Sequence, residues 1–149
     1  MAAKEIANQL INTFLAKRKI FIIGNGGSAA QSSHFSAEFI NKYKRNRLPL
    51  PALALNDPAN LTSIANDRGY KYVFSRQLEA LANPGDTLIC LSASGKSANI
   101  NYAAKKADKL GVSVIDFPRN GKTVGEIQDN QVKLMHQVCE IVEDYFCDS

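Results

Sequence analysis

At 149 residues and 45% apolar content, the chain suits one domain around a single core, and its composition is ordinary for a soluble globular protein. No apolar run approaches the roughly 20 residues that span a bilayer, and the N-terminus MAAKEIANQL carries charge early without a signal-peptide apolar region, so a cytoplasmic protein with no membrane partner is expected. The net charge of +4 includes one dense basic cluster, Lys42-Tyr43-Lys44-Arg45-Asn46-Arg47. It lacks an aromatic stacking platform, so no nucleic acid is expected, and the cluster reads as a solvated helix end that attracts sugar phosphates or keeps the protein soluble.

In chain order, Ile6, Leu10, Ile11, Phe14 and Leu15 recur at helical intervals and predict a helix over about 3–17 with one apolar stripe. Lys19–Gly24 reads as a buried strand. It turns through Gly24-Asn25-Gly26-Gly27-Ser28 into a helix from about Ser28 to Lys44. A strand ending in glycines at a helix N-terminus exposes N–H groups at the positive end of the helix dipole, a ready anion site. Leu50–Leu55 is a second strand, and Asp57 caps a short helix over Ala59–Ala65, before a turn at Asn66-Asp67-Arg68-Gly69. A long amphipathic helix covers about Tyr72–Leu81. Asp86–Ser92 is a third strand, running into the small-residue turn Ser92-Ala93-Ser94-Gly95-Lys96-Ser97 and a helix over Ala98–Leu110. Val112–Phe117 is a fourth strand, 118–123 a polar loop, and the last helix runs from Val124 or Gly125 to about Phe146.

Strands that alternate with helices, each strand a continuous apolar run, predict a doubly wound α/β domain: a parallel sheet flanked by helices in three layers. The whole of 1–149 is one domain, with its core over about 19–146. Ligands in such folds bind outside the carboxyl ends of the strands, so the glycine turn and the serine turn should face one crevice.

Around Gly95, Ser92, Ser94 and Ser97 place three hydroxyls at a helix start, an arrangement that binds phosphate or merely caps the turn. It lacks P-loop spacing, and Ala29 stands where a dinucleotide fingerprint has its last glycine. His34 and Glu38, four apart, share one helix face and could bind metal or move protons, although a single histidine on an apolar helix is ordinarily a satisfied core residue. The second histidine, His136, follows Gln128 by eight residues on the last helix. The two are ~12 Å apart along the axis and differ by ~80° in direction, so they reach one ligand only if it lies between them. Cys90, Cys139 and Cys147 form no CxxC pair and read as reduced thiols.

The runs GNGGSAAQSSHFSAEF, PALALNDPANLTSIANDRGYKYVFSRQLEAL, GDTLICLSASGKSANI and EIQDNQVKLMHQVCEIVE together resemble the phosphoheptose isomerase family of SIS (sugar isomerase) domains. The resemblance implies a flavodoxin-like strand order and conversion of D-sedoheptulose 7-phosphate to D-glycero-D-manno-heptose 7-phosphate for lipopolysaccharide or capsule. It also implies a homotetramer with active sites at subunit interfaces. By the same resemblance Asn25, Gly26, Gly27, Ser28, Asn66 and Asp67 contact substrate. Ser92, Ala93, Ser94 and Ser97 hold its phosphate, Ala93 standing where the family usually has threonine. His34, Glu38, Gln128 and His136 match its zinc ligands, Glu38 and His136 its acid–base pair, and Glu38 and Gln128 also substrate contacts. An enediol proton transfer suits a carboxylate and an imidazole. A non-catalytic SIS protein that binds a sugar phosphate or associates with a replication initiator is the alternative, and a sugar-phosphate sensor is a third. The retained Glu38 and His136 favour the enzyme.

Two departures stand out. Only about 17 residues precede the first strand, where the family has a longer helical arm. The family also has a further strand before the last helix, whereas here Val112–Ile115 runs to Gln128 in barely a dozen residues. A lost strand should shift the helix that carries Gln128 and His136, so a segment missing from the sequence as given is the favoured explanation.

Overall fold

The computed structural model describes residues 2–147. Four short strands, β1 (Ile20–Ile23), β2 (Ala52–Ala54), β3 (Thr87–Cys90) and β4 (Ser113–Asp116), pair in parallel in the order β2-β1-β3-β4. Six α-helices surround them: α1 (Ala3–Leu15), α2 (Gly27–Ile40), α3 (Pro58–Asp67), α4 (Ser75–Leu81), α5 (Ala98–Lys109) and α6 (Val124–Cys147). Every residue of β1 is buried, and its side chains alternate between two cores as the strand period requires. Ile20 and Ile22 pack with Leu10, Phe35 and Val138 of α1, α2 and α6. Phe21 and Ile23 pack with Leu78, Ile100 and Ala103 of α4 and α5. This is the expected three-layer arrangement. Asp86, fully buried, ties the strand starts together: it accepts from Lys19 N–H at 3.0 Å and Asn83 N–H at 2.7 Å, and pairs with Lys19 Nζ at 2.9 Å. No helix among the described residues is long and apolar enough to cross a membrane.

The structure corrects two element boundaries. The helix expected over Tyr72–Leu81 is α4 alone, seven residues long, preceded by a 3₁₀ turn at Tyr70–Tyr72. Gly69, at φ +116°, separates α3 from that 3₁₀ turn. The second long helix stops at Ile40 rather than Lys44, because the next amides bond elsewhere. Glu143 of α6 accepts from the N–H groups of Tyr43 (2.8 Å), Lys44 (2.7 Å) and Arg45 (2.7 Å), and from Arg47 Nε at 3.1 Å. The Arg47 guanidinium in turn donates to the carbonyls of Glu38 (2.6 Å), Phe39 (2.7 Å) and Asn41 (3.2 Å), which satisfies helix-end acceptors that α2 leaves open. Both side chains of this pair are 2% exposed. Lys44 pairs with Glu140 at 3.0 Å and Arg45 pairs with Asp144, so the basic cluster is a tie between α2 and α6 rather than a free solvated end.

Among the described residues no fifth strand follows β4. Residues 117–123 lead directly into α6 and are anchored at several points. Phe117 is buried, Gln131 Nε2 donates to the carbonyls of Ser92 and Pro118 at 3.3 Å each, and Asn130 Nδ2 donates to Asn120 O at 2.7 Å. Thr123 Oγ1 accepts from Glu126 N–H while Glu126 reaches back to Lys122 N–H, which caps the first turn of α6. The helix seats on α1 and α2 through Met135, Val138 and Val142, with His136 beside His34.

Breaking the Arg47–Glu143 pair leaves a buried charge without its partner. Arg47→Ala is expected to lose about 3–5 kcal/mol of stability, read by chemical denaturation; a loss below ~0.5 kcal/mol would remove the pair from its central place. Burial pushes the Glu143 carboxyl up, but the three N–H donors and Arg47 outweigh it and hold it below its ordinary 4.5. A carboxyl lowered in the folded state contributes stability that is present above pH 4.5 and lost as pH falls through the folded value. Melting temperature should therefore drop on acidification below pH 4.5, and Glu143→Gln should flatten that part of the profile.

Candidate active site

The site begins where β1 and β3 end. After β1, Gly24 leaves no room for a side chain: a Cβ there would lie 2.6 Å from Ser28 Cβ and 2.8 Å from the Ser28 carbonyl oxygen. Gly26, at φ +56°, turns the chain into α2. Asn25 is tied across the crevice. It exchanges two hydrogen bonds of 2.9 Å with Asn99 of α5, and its Oδ1 also accepts from Tyr70 OH at 3.0 Å. After β3, Ser92 Oγ accepts from Gly95 N–H at 2.9 Å and Ser94 Oγ from Lys96 N–H at 3.0 Å. Both hydroxyl protons thus remain available to a ligand. Ser97 is the N-cap of α5 and makes no side-chain capping bond. A cavity of about 240 Å³ lies between the two turns, lined by Asn25, Ser28, Ser92, Ser94, Ser97 and Gln128, with Ala93 also on its wall. The expected single crevice is present.

A second cluster lies further along α2. His34 Nε2 is 2.7 Å from Glu38 Oε1, and the His136 ring is 5.8 Å from the His34 ring. Ligand atoms of His34, Glu38 and His136 all fall within 4.8 Å of one another. Glu38 Oε2 is buried and has no hydrogen-bond partner. Two imidazoles and a carboxylate with an unsatisfied buried oxygen suit a divalent ion such as zinc, which takes nitrogen and oxygen donors together. Rings fix the imidazoles: Phe35 stacks on His34 at 5.2 Å, and Tyr43 stacks on His136 at 5.4 Å. Tyr43 is itself held by the Glu143 carboxylate.

Gln128 stands at the other end of α2. Its Nε2 lies 3.1 Å from where a Cβ on Gly27 would sit, and its carbonyl accepts from Gln31 Nε2 at 3.4 Å. Asn66 and Asp67 are the last two residues of α3, bonded to each other at 3.0 Å and exposed. Asp67 borders a separate depression with Arg68, Tyr72, Arg76 and Tyr102, away from the serine turn. Asn99 and Tyr70 were not singled out from sequence. A polar residue two positions past the serine turn, on a helix that buries its neighbour Ile100, was a usable signal for Asn99; nothing local marks Tyr70. The three cysteines are free, as expected. Burial, with Asp116 nearby, pushes the Cys90 thiol up to about 12, and burial raises Cys139 as well, so neither is a nucleophile.

A family model described as the SIS domain matches residues 2–117. The phosphoheptose isomerase of Campylobacter concisus is 40% identical over 164 aligned positions, covering 98% of this chain and 87% of that protein. That of Aquifex aeolicus is 37% identical, covering 97% and 84%. Among solved structures, the phosphoheptose isomerase from Neisseria gonorrhoeae superposes with a TM-score of 0.89 at 31% identity, over 95% of this chain and 85% of that one. The Francisella tularensis enzyme gives 0.90 at 27% identity over the same shares. An alignment of 164 positions exceeds the 149 residues here, so at least 15 positions of the Campylobacter protein (164 less 149) have no counterpart, and the family match ends at Phe117, where the short link to α6 begins. At these identities and coverages the chain belongs to the phosphoheptose isomerase family of SIS-domain proteins.

Proposed function

We propose that the chain is an aldose–ketose isomerase that interconverts D-sedoheptulose 7-phosphate and D-glycero-D-manno-heptose 7-phosphate, supplying heptose for lipopolysaccharide or capsule. The observation that carries this reading is the unpartnered, buried Glu38 Oε2 beside His34 and His136, on the same helix whose start borders the serine-turn cavity. The hydroxyls of Ser92, Ser94 and Ser97 and the first N–H groups of α5 receive the phosphate. Asn25, Gly26, Gly27, Ser28 and Gln128 line the path of the sugar.

The reaction moves one proton between C1 and C2 and rearranges two oxygen protons. In the ketose-to-aldose direction Glu38 takes the proton from C1, giving a cis-enediol as O2 gains a proton. The enediol collapses when O1 loses its proton and C2 is protonated. His136 serves the oxygens, since an imidazole both donates and accepts near neutral pH. His34, Glu38 and His136 would hold a zinc ion, whose chemistry is to polarise a carbonyl oxygen as a Lewis acid, while Gln128, expected as a fourth ligand, stands at the start of α2 beside Gly27. Glu38 has two oxygens for its two tasks: Oε1 is directed at His34, and Oε2 is unpartnered. Asn66 and Asp67 stand apart from the cavity of their own protomer. A homotetramer with active sites at subunit interfaces is the assembly that the family resemblance implies.

Purified protein incubated with sedoheptulose 7-phosphate and zinc should form the aldose. Tight sugar-phosphate binding without turnover would sink the enzyme reading. Glu38→Gln and His136→Gln should each lower kcat by about 100-fold or more, and intact turnover in either would reassign the proton transfers. Zinc at a hundred times its Kd should stabilise the wild type by about 2.7 kcal/mol. His34→Ala should lose that thermal shift while keeping the metal-free melting temperature within a few degrees.

A further inference from the structure

The cavity wall at the serine turn offers hydroxyls but no cationic side chain, Lys96 lying outside it, and a dianion there is further stabilised by a cation. Arg119 stands there. It lies on the short link between β4 and α6, outside every run that carries the family resemblance. Its guanidinium lies across Gly95: a Cβ on that glycine would meet Cζ at 2.9 Å, Nε at 3.0 Å and Nη2 at 3.2 Å. Gly95 also has a φ of +70°, a conformation that favours glycine, and any side chain there would have to displace the guanidinium.

Asp116, the last residue of β4, sets this orientation. It takes Arg119 Nη1 at 2.7 Å and Nη2 at 3.0 Å in a bidentate pair. Its strand position, opposite Cys90 in the sheet, puts it level with the start of the serine turn. The link itself is fixed against that turn by Gln131, which donates to both Ser92 O and Pro118 O. A guanidinium has five N–H donors. The pair with Asp116 uses two, and with the side chain 32% exposed, the others remain open to a ligand above Gly95. The bond to Asp116 also keeps Arg119 charged and raises its pKa further. Asp116 without Arg119 would instead present a bare carboxylate to an arriving phosphate.

We propose that Arg119, oriented by Asp116, is a phosphate-binding residue of this chain, closing the serine turn over the substrate's phosphate. The inference rests on the reading that the serine turn receives that phosphate. It gives Asp116 the part of a positioning residue. It also gives the shortened β4–α6 link a task, since the link is what carries the cation to Gly95.

The test compares wild type, Arg119→Ala, Arg119→Lys and Lys96→Ala. Lys96 is the exposed cation within the turn itself and serves as the control. Calorimetry with inorganic phosphate reads the anion site without any turnover. Arg119→Ala should weaken phosphate about tenfold or more, Arg119→Lys should recover part of it, and Lys96→Ala should change it less than threefold. With sedoheptulose 7-phosphate, Arg119→Ala should raise KM by a similar factor and leave kcat within about twofold, at an unchanged melting temperature. A purely structural latch would instead lower kcat and melting temperature together, and that outcome overturns the proposal. So does phosphate binding that Arg119→Ala leaves intact, or a wild type that binds no phosphate. Absence of turnover in a wild type that still binds phosphate through Arg119 would overturn the isomerase reading alone.

Discussion

One buried carboxylate governs how the two halves of this molecule meet. Glu143 takes three consecutive backbone amides from the segment after α2 and the side chain of Arg47 behind them. Those amides would otherwise have continued the helix. By capturing them, α6 decides where α2 ends, and Arg47 then closes the carbonyls left open at that end. Burying an ion pair is costly unless its remaining donors and acceptors are met. Here they are met by backbone groups, so the pair acts as a hydrogen-bonded joint. The metal-capable triad is built across this joint: Glu38 gives its carbonyl to Arg47, and His136 is stacked by Tyr43, whose amide is held by Glu143.

The rest of the site follows from the sheet. Parallel pairing puts the ends of β1 and β3 side by side, so the glycine and serine turns that follow them open toward each other. Each turn is then trimmed by contacts from elsewhere. Asn99 and Tyr70 fix Asn25, Gln128 covers Gly27, and Arg119 covers Gly95. The chemistry-bearing groups come from the two turns and from α2 and α6, which the buried apolar side chains hold in register.

Much of this was legible in the chain. Continuous apolar runs such as Ile20–Ile23 announced buried parallel strands, and Asp57 before Pro58 announced the start of α3, where its side chain does cap Asn60 N–H. The i, i+4 spacing of His34 and Glu38 announced a shared face. What local pattern did not reveal was set by distant partners. Periodicity carried α2 on to Lys44, because nothing in residues 41–47 betrays a glutamate a hundred positions away that takes their amides. The basic run looked like free charge for the same reason. The seating of α6 was equally hidden, since its apolar face meets α1, α2 and the end of β4 together through Met135, Val138 and Val142.

α6 presents Gln128, Gln131, His136 and Glu143 along successive turns, and each bonds to or packs against a different part of the remaining fold. If α6 were to lift away, the triad would lose one imidazole, the cavity would lose its Gln128 wall, and the amides of residues 43–45 would become free to exchange with solvent, all in one event. A ligand held at either end of the helix would oppose that same opening, so the docking of one helix is the route by which two sites without mutual contact would come to favour one closed state.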